Sequence, residues 1–228
     1  MFDLHYHEGV AHIAINDGKA NAVGFNFIEG MMKALDEIDA NKDATAIVIS
    51  GKPGMFSAGF DLKVMASDPA KAGEMVQGGG QMLLRLFTHR LPVVAAVTGH
   101  AMAAGAFLTL ACDTRIGAAG DFKIGMNETA IGMVLPVFGL EMAKCRLSNI
   151  RMTEAFIQAQ LYGPEEAVEV GFLDQVLPAD QVIDAALAEA ARLGGLPNGA
   201  YFGNKMLLRK PYADIIEPSL ASPISVLG

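Results

Sequence analysis

One carboxylate, Glu128, stands in the stretch KIGMNETAIGMVLP (residues 123 to 136) among small and apolar residues, with a glycine on either side. An acid in such company is either a solvated loop residue or a proton-transfer group set in a dry site. Two other stretches bear on the choice. In GKPGMFSAGFDLKVM (51 to 65), Gly51, Gly54 and Gly59 let the backbone turn tightly, and Asp61 suits the cap of a helix beginning near Leu62. In GHAMAAGAFLTLACD (99 to 113), Ala101, Ala103, Ala104, Gly105 and Ala106 permit close backbone packing and open a second helix. The first N–H groups of a helix have no intrahelical partner and can hold an oxyanion. If Glu128 faces two such amides, the set is a general base opposite an oxyanion hole, suited to removing a proton beside a carbonyl. Read alone, the first stretch is equally an ordinary turn from strand to helix, and the second a small-residue helix packed hard against a sheet.

Other reactive residue types form weaker patterns. His5, His7 and His12 invite a metal, but strands throw neighbours to opposite faces and no Asp, Glu or Cys cluster completes a ligand set. Cys112 and Cys145 have no CxxC or Cys/His spacing and read as reduced core residues. Ser57, His100 and Asp113 supply the types for a serine-peptidase triad, yet no nucleophile motif surrounds Ser57.

The elements that would position these residues follow from periodicity. Residues 2 to 15 alternate with period two around Glu8-Gly9, predicting a hairpin. NFIEGMMKALDEIDAN repeats Phe27, Met31, Leu35 and Ile38 at helical spacing, with Asn26 as the expected cap. TAIVIS (45 to 50), PVVAAVT (92 to 98) and TRIGAA (114 to 119) are short apolar runs of the kind buried on both faces. Their alternation with helical stretches predicts parallel pairing through right-handed crossovers. Beyond Pro136 the pattern is mostly helical: VFGLEMAKCRL, TEAFIQAQL and PEEAVEVG, with Pro164 in a first turn, then a short strand in FLDQVLP and the helix DQVIDAALAEAARLGG. The fold class is α/β, with residues 1 to 195 as the core and 196 to 228 as a helical C-terminal segment.

With 228 residues, 52% hydrophobic and 18% charged, the chain can bury a substantial core without disulfides. No apolar run reaches the roughly 20 residues of a membrane span. A formal net charge of -8 offers no general attraction to nucleic acid or anionic membranes. The N-terminal MFDLHYHEGVAHIAIN has neither a basic segment leading into an apolar one nor an Arg-rich amphipathic pattern, which makes the cytoplasm the expected location.

Taken in order, KANAV (19 to 23), FSAGFDLKVM (56 to 65), PVVAAVTGHAMAAGAFLTLACD (92 to 113), the Glu128 segment and EEAVEVGFLDQVLP (165 to 178) resemble the crotonase superfamily of enoyl-CoA hydratases and isomerases over roughly residues 3 to 208. The resemblance implies a core of ββα repeats and a CoA thioester as substrate, with no further cofactor. It places the oxyanion-hole amides on Phe60, between the Gly and Asp of AGFD, and on Ala104, in the middle of a turn that is GGG-like in the family and Ala103-Ala104-Gly105 here. Alanine does not readily take φ > 0, so this turn is expected to be restricted. By the same match Lys19, Ala20 and Ala22, with Ala58 and Phe60, Asp61, Leu62 and Lys63, would line the CoA site, Lys63 reaching toward phosphate.

Hydratases of this family use two glutamates, and the position matching the first is Phe107 here. Hydration must activate water and deliver a proton, whereas moving a double bond needs one carboxylate to carry a proton from C2 to C4. IGMNETAIG is also similar to the matching segment of the mitochondrial-type 3,2-trans-enoyl-CoA isomerases, which rely on one glutamate. Phe107 is expected at the acyl pocket and to desolvate Glu128, and Met55, Met65, Met82 and Met133 suit either an adaptable acyl pocket or, for most of them, core filling. Hydration, other crotonase reactions such as thioester hydrolysis or decarboxylation, and a non-catalytic acyl-CoA binder are the alternatives. Family members continue for several tens of residues beyond the helix matched by NGAYFGNKMLLRK, where PYADIIEPSLASPISVLG follows here. A homotrimer or dimer of trimers is the assembly the resemblance implies.

Overall fold

In the computed structural model, which describes residues 1 to 225, strands β1 (Phe2–His7) and β2 (Val10–Ile15) form the expected hairpin, and helix α1 (Phe25–Ala40) follows. Three units of one form come next: a long-sheet strand, a corner, a short strand in a second sheet, then helix. The first holds β3 (Ala46–Ser50), β4 (Gly54–Ser57), α2 (Leu62–Ser67) and α3 (Pro69–Phe87). The second holds β5 (Val93–Val97), β6 (Gly99–Met102) and α4 (Ala104–Ala111). The third holds β7 (Thr114–Ala118), β8 (Ile124–Gly125), a 3-10 turn at Thr129–Ile131 and α5 (Val137–Arg146). A π-type turn at Thr153–Ile157 precedes α6 (Pro164–Val170), β9 (Gln175–Leu177), α7 (Val182–Gly194) and α8 (Asn198–Ser219).

The large sheet runs β1-β2-β3-β5-β7-β9, parallel except for the hairpin. Its central strands are buried on both faces. Ala46, Val48, Val94 and Ala96 meet Val182, Ala186 and Ala190 of α7, while Ile47, Ile49, Val93 and Ala95 face the larger core with α1, α3 and α4. The short strands form a separate parallel sheet, β4-β6-β8. The corner between the sheets explains two glycines. A Cβ on Gly51 would lie 2.3 Å from the Met55 carbonyl oxygen, and one on Gly99 would lie 2.0 Å from the Gly54 carbonyl carbon.

Several sequence expectations need correction. Periodicity gave no sign of the second sheet, because strands of two to four residues carry no readable period, whereas the ββα repeats implied by the resemblance call for a second strand in each unit. Asn26 lies inside the first turn of α1, whose cap position is Gly24. TEAFIQAQL gives a short π-type turn instead of a regular helix. His5, His7 and His12 share one face, because His5 sits directly opposite His12 in the hairpin and His7 is two residues on. His12 Nε2 hydrogen-bonds with Ser50 Oγ at 2.8 Å, and burial lowers its pKa.

Helix α8 continues through Pro211, an exposed position where the carbonyl left without its helical donor belongs to Leu207, itself an exposed residue. Its inner face is fastened by charge. Lys205 Nζ donates to the carbonyls of His89 and Leu91 at 2.9 and 3.0 Å, and Arg209 Nη1 to those of Phe87 and Ala111 at 2.7 and 3.2 Å. Both cations pair with the largely buried Asp113, at 2.7 and 2.9 Å. Among the described residues no helix is long and apolar enough to cross a membrane.

Candidate functional site

The small sheet places the three stretches of interest side by side. Ser57 pairs with Ala101, and Ala101 and Met102 pair with Ile124 and Gly125, all in parallel. Chain leaving the carboxyl ends of β4, β6 and β8 therefore emerges at one edge, at the usual strand spacing of about 4.8 Å. Those exits are Ala58-Gly59-Phe60, Ala103-Ala104 and Met126-Asn127-Glu128. Residues separated by some 70 positions become neighbours because each is the next thing after a short parallel strand.

Glu128 is 3% exposed, and neither carboxylate oxygen has a hydrogen-bond partner among the described residues. Its own carbonyl accepts from the N–H groups of Ile131 and Met133, both at 3.0 Å, which fixes the turn that carries it. Burial pushes the carboxyl up to about 7 from the ordinary 4.5; the N–H groups of Asn127 and Glu128 oppose this without reaching hydrogen-bonding geometry. A carboxyl so poised is half ionised near neutral pH, the range in which a general base works best.

Phe60 follows Gly59, which has φ +101. The Gly59 carbonyl accepts from Val23 N at 2.8 Å and the Val23 carbonyl from Asp61 N at 3.1 Å, so the intervening Phe60 N–H is left without an acceptor among the described residues. Asp61 caps α2 as expected, accepting from Lys63 N at 2.9 Å. The Phe60 ring points inward, onto Gly79 of α3. Ala104 N–H opens α4 and likewise has no acceptor among the described residues. Ala103, expected to avoid positive φ, adopts φ +51 and ψ -121. The tie from Ala103 N–H to the Gly125 carbonyl, 3.0 Å, holds it there against its preference.

Asn21, wholly buried and at φ +49, was passed over in the sequence between Ala20 and Ala22. Its Nδ2 donates to the carbonyls of Ile15, Met55 and Phe56 at 3.1, 3.2 and 3.1 Å, and its Oδ1 accepts from Asp17 N at 3.0 Å. Ser57 Oγ donates to the Asn21 carbonyl at 2.8 Å and accepts from Gly59 N at 3.3 Å. These bonds join the 17 to 24 loop to the Phe60 loop, and Ala58 N adds another to the Ala20 carbonyl at 3.0 Å. An asparagine between small residues was the only available signal, and alone it is too common to single out.

Of the residues expected around CoA, Lys19, Ala20, Ala22, Asp61 and Lys63 line one cavity of about 470 Å³, with Asp17 and Val64. Ala58, Phe60 and Leu62 do not line it, and Leu62 is well exposed. Phe107 is fully buried, edge-on to Phe138 of α5 with ring centroids 5.6 Å apart. Met65 and Met133 are partly buried against the core, while Met82 lies wholly within it. The residues of the hypothetical triad are engaged elsewhere: Ser57 with Asn21, His100 Nδ1 accepting from Lys123 N at 2.9 Å, and Asp113 with Lys205 and Arg209.

Comparison with known proteins agrees with this layout. Human mitochondrial enoyl-CoA delta isomerase 1 is 30% identical over 208 residues, covering 90% of this chain and 69% of that protein. Mouse mitochondrial methylglutaconyl-CoA hydratase is 31% identical over 197 residues, covering 84% and 62%. The crystal structure of an enoyl-CoA hydratase/isomerase family protein from Pseudomonas syringae superimposes with a TM-score of 0.92 at 38% identity, covering 96% of this chain and 94% of that one. The family pattern described as enoyl-CoA hydratase/isomerase matches residues 5 to 214. With ββα units, a two-sheet core and this match over most of its length, the chain belongs to the enoyl-CoA hydratase/isomerase family of the crotonase superfamily and is an enzyme of that family.

Proposed function

We propose that the protein is an enoyl-CoA isomerase that moves the double bond of a 3-enoyl-CoA to the 2-position with one glutamate. The observation that carries this reading is Glu128, a buried, unpartnered carboxylate poised near neutrality, in a chain that has Phe107 where the hydratases keep their first acid. In the proposed step the Glu128 carboxylate takes a proton from C2, and the C2–H electron pair forms the C1=C2 bond of a dienolate as charge moves to the thioester oxygen. The Phe60 and Ala104 N–H groups receive that oxygen. Glu128 then returns the proton at C4, leaving the 2-enoyl thioester.

The thioester's nucleotide end is proposed to occupy the cavity at Lys19, Ala20, Ala22, Asp61 and Lys63, where the two lysines, set beside the carboxylates of Asp17 and Asp61, would meet phosphate. The acyl chain would run past Met65 and Met133; Phe107, fully buried against Phe138, has no surface open to it. A trimer or dimer of trimers is the proposed assembly, with the exposed apolar residues of α8, Leu207, Leu208 and Ile215, available for contact between copies, and the cytoplasm is the proposed compartment. Hydration is the competing reading, favoured by the likeness to methylglutaconyl-CoA hydratase.

The test is to incubate the purified protein with a 3-enoyl-CoA and, separately, a 2-enoyl-CoA in deuterated water, then repeat with Glu128→Gln. Isomerisation of the first, lost in the variant, with no hydration of the second is the expected result. Hydration of the 2-enoyl substrate at a comparable rate would overturn the assignment.

A further inference from the structure

We propose that the cavity between the end of α5 and the start of α8 is a second ligand site, one that takes a small organic anion: a carboxylate or phosphate monoester carried on an apolar body. It stands apart from the reacting centre. Helix α4, eight residues and about 12 Å long, begins at the Ala104 N–H and ends at the Ala111 carbonyl, which Arg209 of the cavity holds at 3.2 Å.

Shape and charge together carry the inference. The cavity, of about 460 Å³, is walled by Leu196, Tyr201 and Leu208 and lined also by Arg146, Lys205, Arg209 and Asp113. Apolar walls with a few convergent polar groups are the usual make-up of a small-molecule site, and the volume is within the usual range. The charges around it do not balance. Asp113 pairs with Lys205 and Arg209, and Asp174 pairs with Arg115, so both acids are engaged before Arg146 is reached. Among the described residues Arg146 has no carboxylate within ion-pair distance. Its Nη2 donates to the carbonyls of Cys112 and Asp113, both at 2.7 Å, while its Nε is buried without a partner and no hydrogen bond engages its Nη1. Burial, with Arg115 and Arg209 nearby, pushes the guanidinium down to about 10. A buried cation without a counter-ion is costly to keep, and a bound anion would offset that cost. Carboxylate and phosphate oxygens are the natural acceptors for guanidinium N–H groups. The apolar walls then favour an anion that carries an apolar or aromatic body over a bare inorganic one.

The probes are phenyl phosphate and benzoate, with phenol as the neutral control, titrated into the full chain by calorimetry. At least one of the anions should bind and raise the unfolding midpoint, and phenol should do neither. Binding of phenyl phosphate alone assigns a phosphate ligand, and of benzoate alone a carboxylate; either supports the site. Leu208 is 59% exposed, so Leu208→Glu sets an acid on the cavity wall without disturbing the core. It should weaken binding about tenfold or more by like-charge repulsion, while Leu208→Gln should stay within about twofold of the parent. Arg146→Gln should weaken binding to a similar degree, and where its lost bonds to Cys112 and Asp113 unfold the chain, the Leu208 pair decides. The lysines of the nucleotide cavity also attract these probes, so the double variant Lys19→Ala with Lys63→Ala is the control and should bind as the parent does. Binding that survives Leu208→Glu, or that is lost with the two lysines, overturns the proposal. So does a parent that binds neither anion, or binds phenol equally well.

Discussion

Replacing Glu128 by glutamine should stabilise the protein and disable it, and the stabilisation should depend on pH in a calculable way. The carboxyl is pushed up to about 7 in the fold, against an ordinary value of 4.5. Between those values the folded state holds more protons than the unfolded one, so stability contributed by this group falls as pH rises through the window. Below 4.5 both states are protonated and the group is neutral in effect; above 7 the full cost of a buried, unpartnered charge is present. At about 1.4 kcal/mol per pH unit, the interval amounts to about 3 kcal/mol. Glutamine keeps the shape and cannot ionise. Glu128→Gln should therefore exceed the parent in unfolding free energy by about 2 to 3 kcal/mol more at about pH 8.5 than at about pH 5, measured by urea denaturation. Over the same range the parent's kcat/KM should rise with pH through about 7 and level off, whereas the variant should lose about 10² to 10⁴ of the rate. A stability difference that does not vary with pH would refute the dry, unpartnered carboxylate on which the mechanism rests. So would a parent rate profile that is flat across neutrality.

Other perturbations probe what holds the site. Asp113→Ala strips two buried cations of their partner and should cost about 3 kcal/mol or more, read by urea denaturation, because Lys205 and Arg209 remain in the interior. Asn21→Ala leaves the Ile15, Met55 and Phe56 carbonyls without their donor and puts alanine at φ +49; a loss of about 3 kcal/mol is expected, with weaker CoA binding by calorimetry. Gly79→Ala would bring a methyl to 2.6 Å from the Phe60 ring. Overpacking of about 1 to 3 kcal/mol should be partly offset by better helix propensity, so kcat should fall more than the unfolding midpoint does.

The large sheet was legible because its central strands are continuous apolar runs between glycine and proline, a pattern that burial on both faces demands. Helices α1 and α7 were legible through their spacing, and the Asp61 cap through its place before Leu62. The small sheet was not. A strand of two residues such as Ile124–Gly125 has no period, and its pairing with β6 depends on partners more than 20 positions away. Asn21 was passed over for a related reason: its value lies in three carbonyls from β2 and β4 that no local pattern reveals. Ala103 was expected to resist positive φ and takes it, because tertiary hydrogen bonds outweigh the preference of one residue.

Glu128 could be nominated from its residue type among small and apolar neighbours, whereas Phe60 and Ala104 could be nominated through the family resemblance that the motifs around them carry. Whether Glu128 is dry, and whether the two amides lack acceptors, depended on what surrounds them in space. Hydrophobic period and turn chemistry are written into neighbouring residues and survive in a one-dimensional reading. Desolvation and register between parallel strands exist only once the chain has closed on itself.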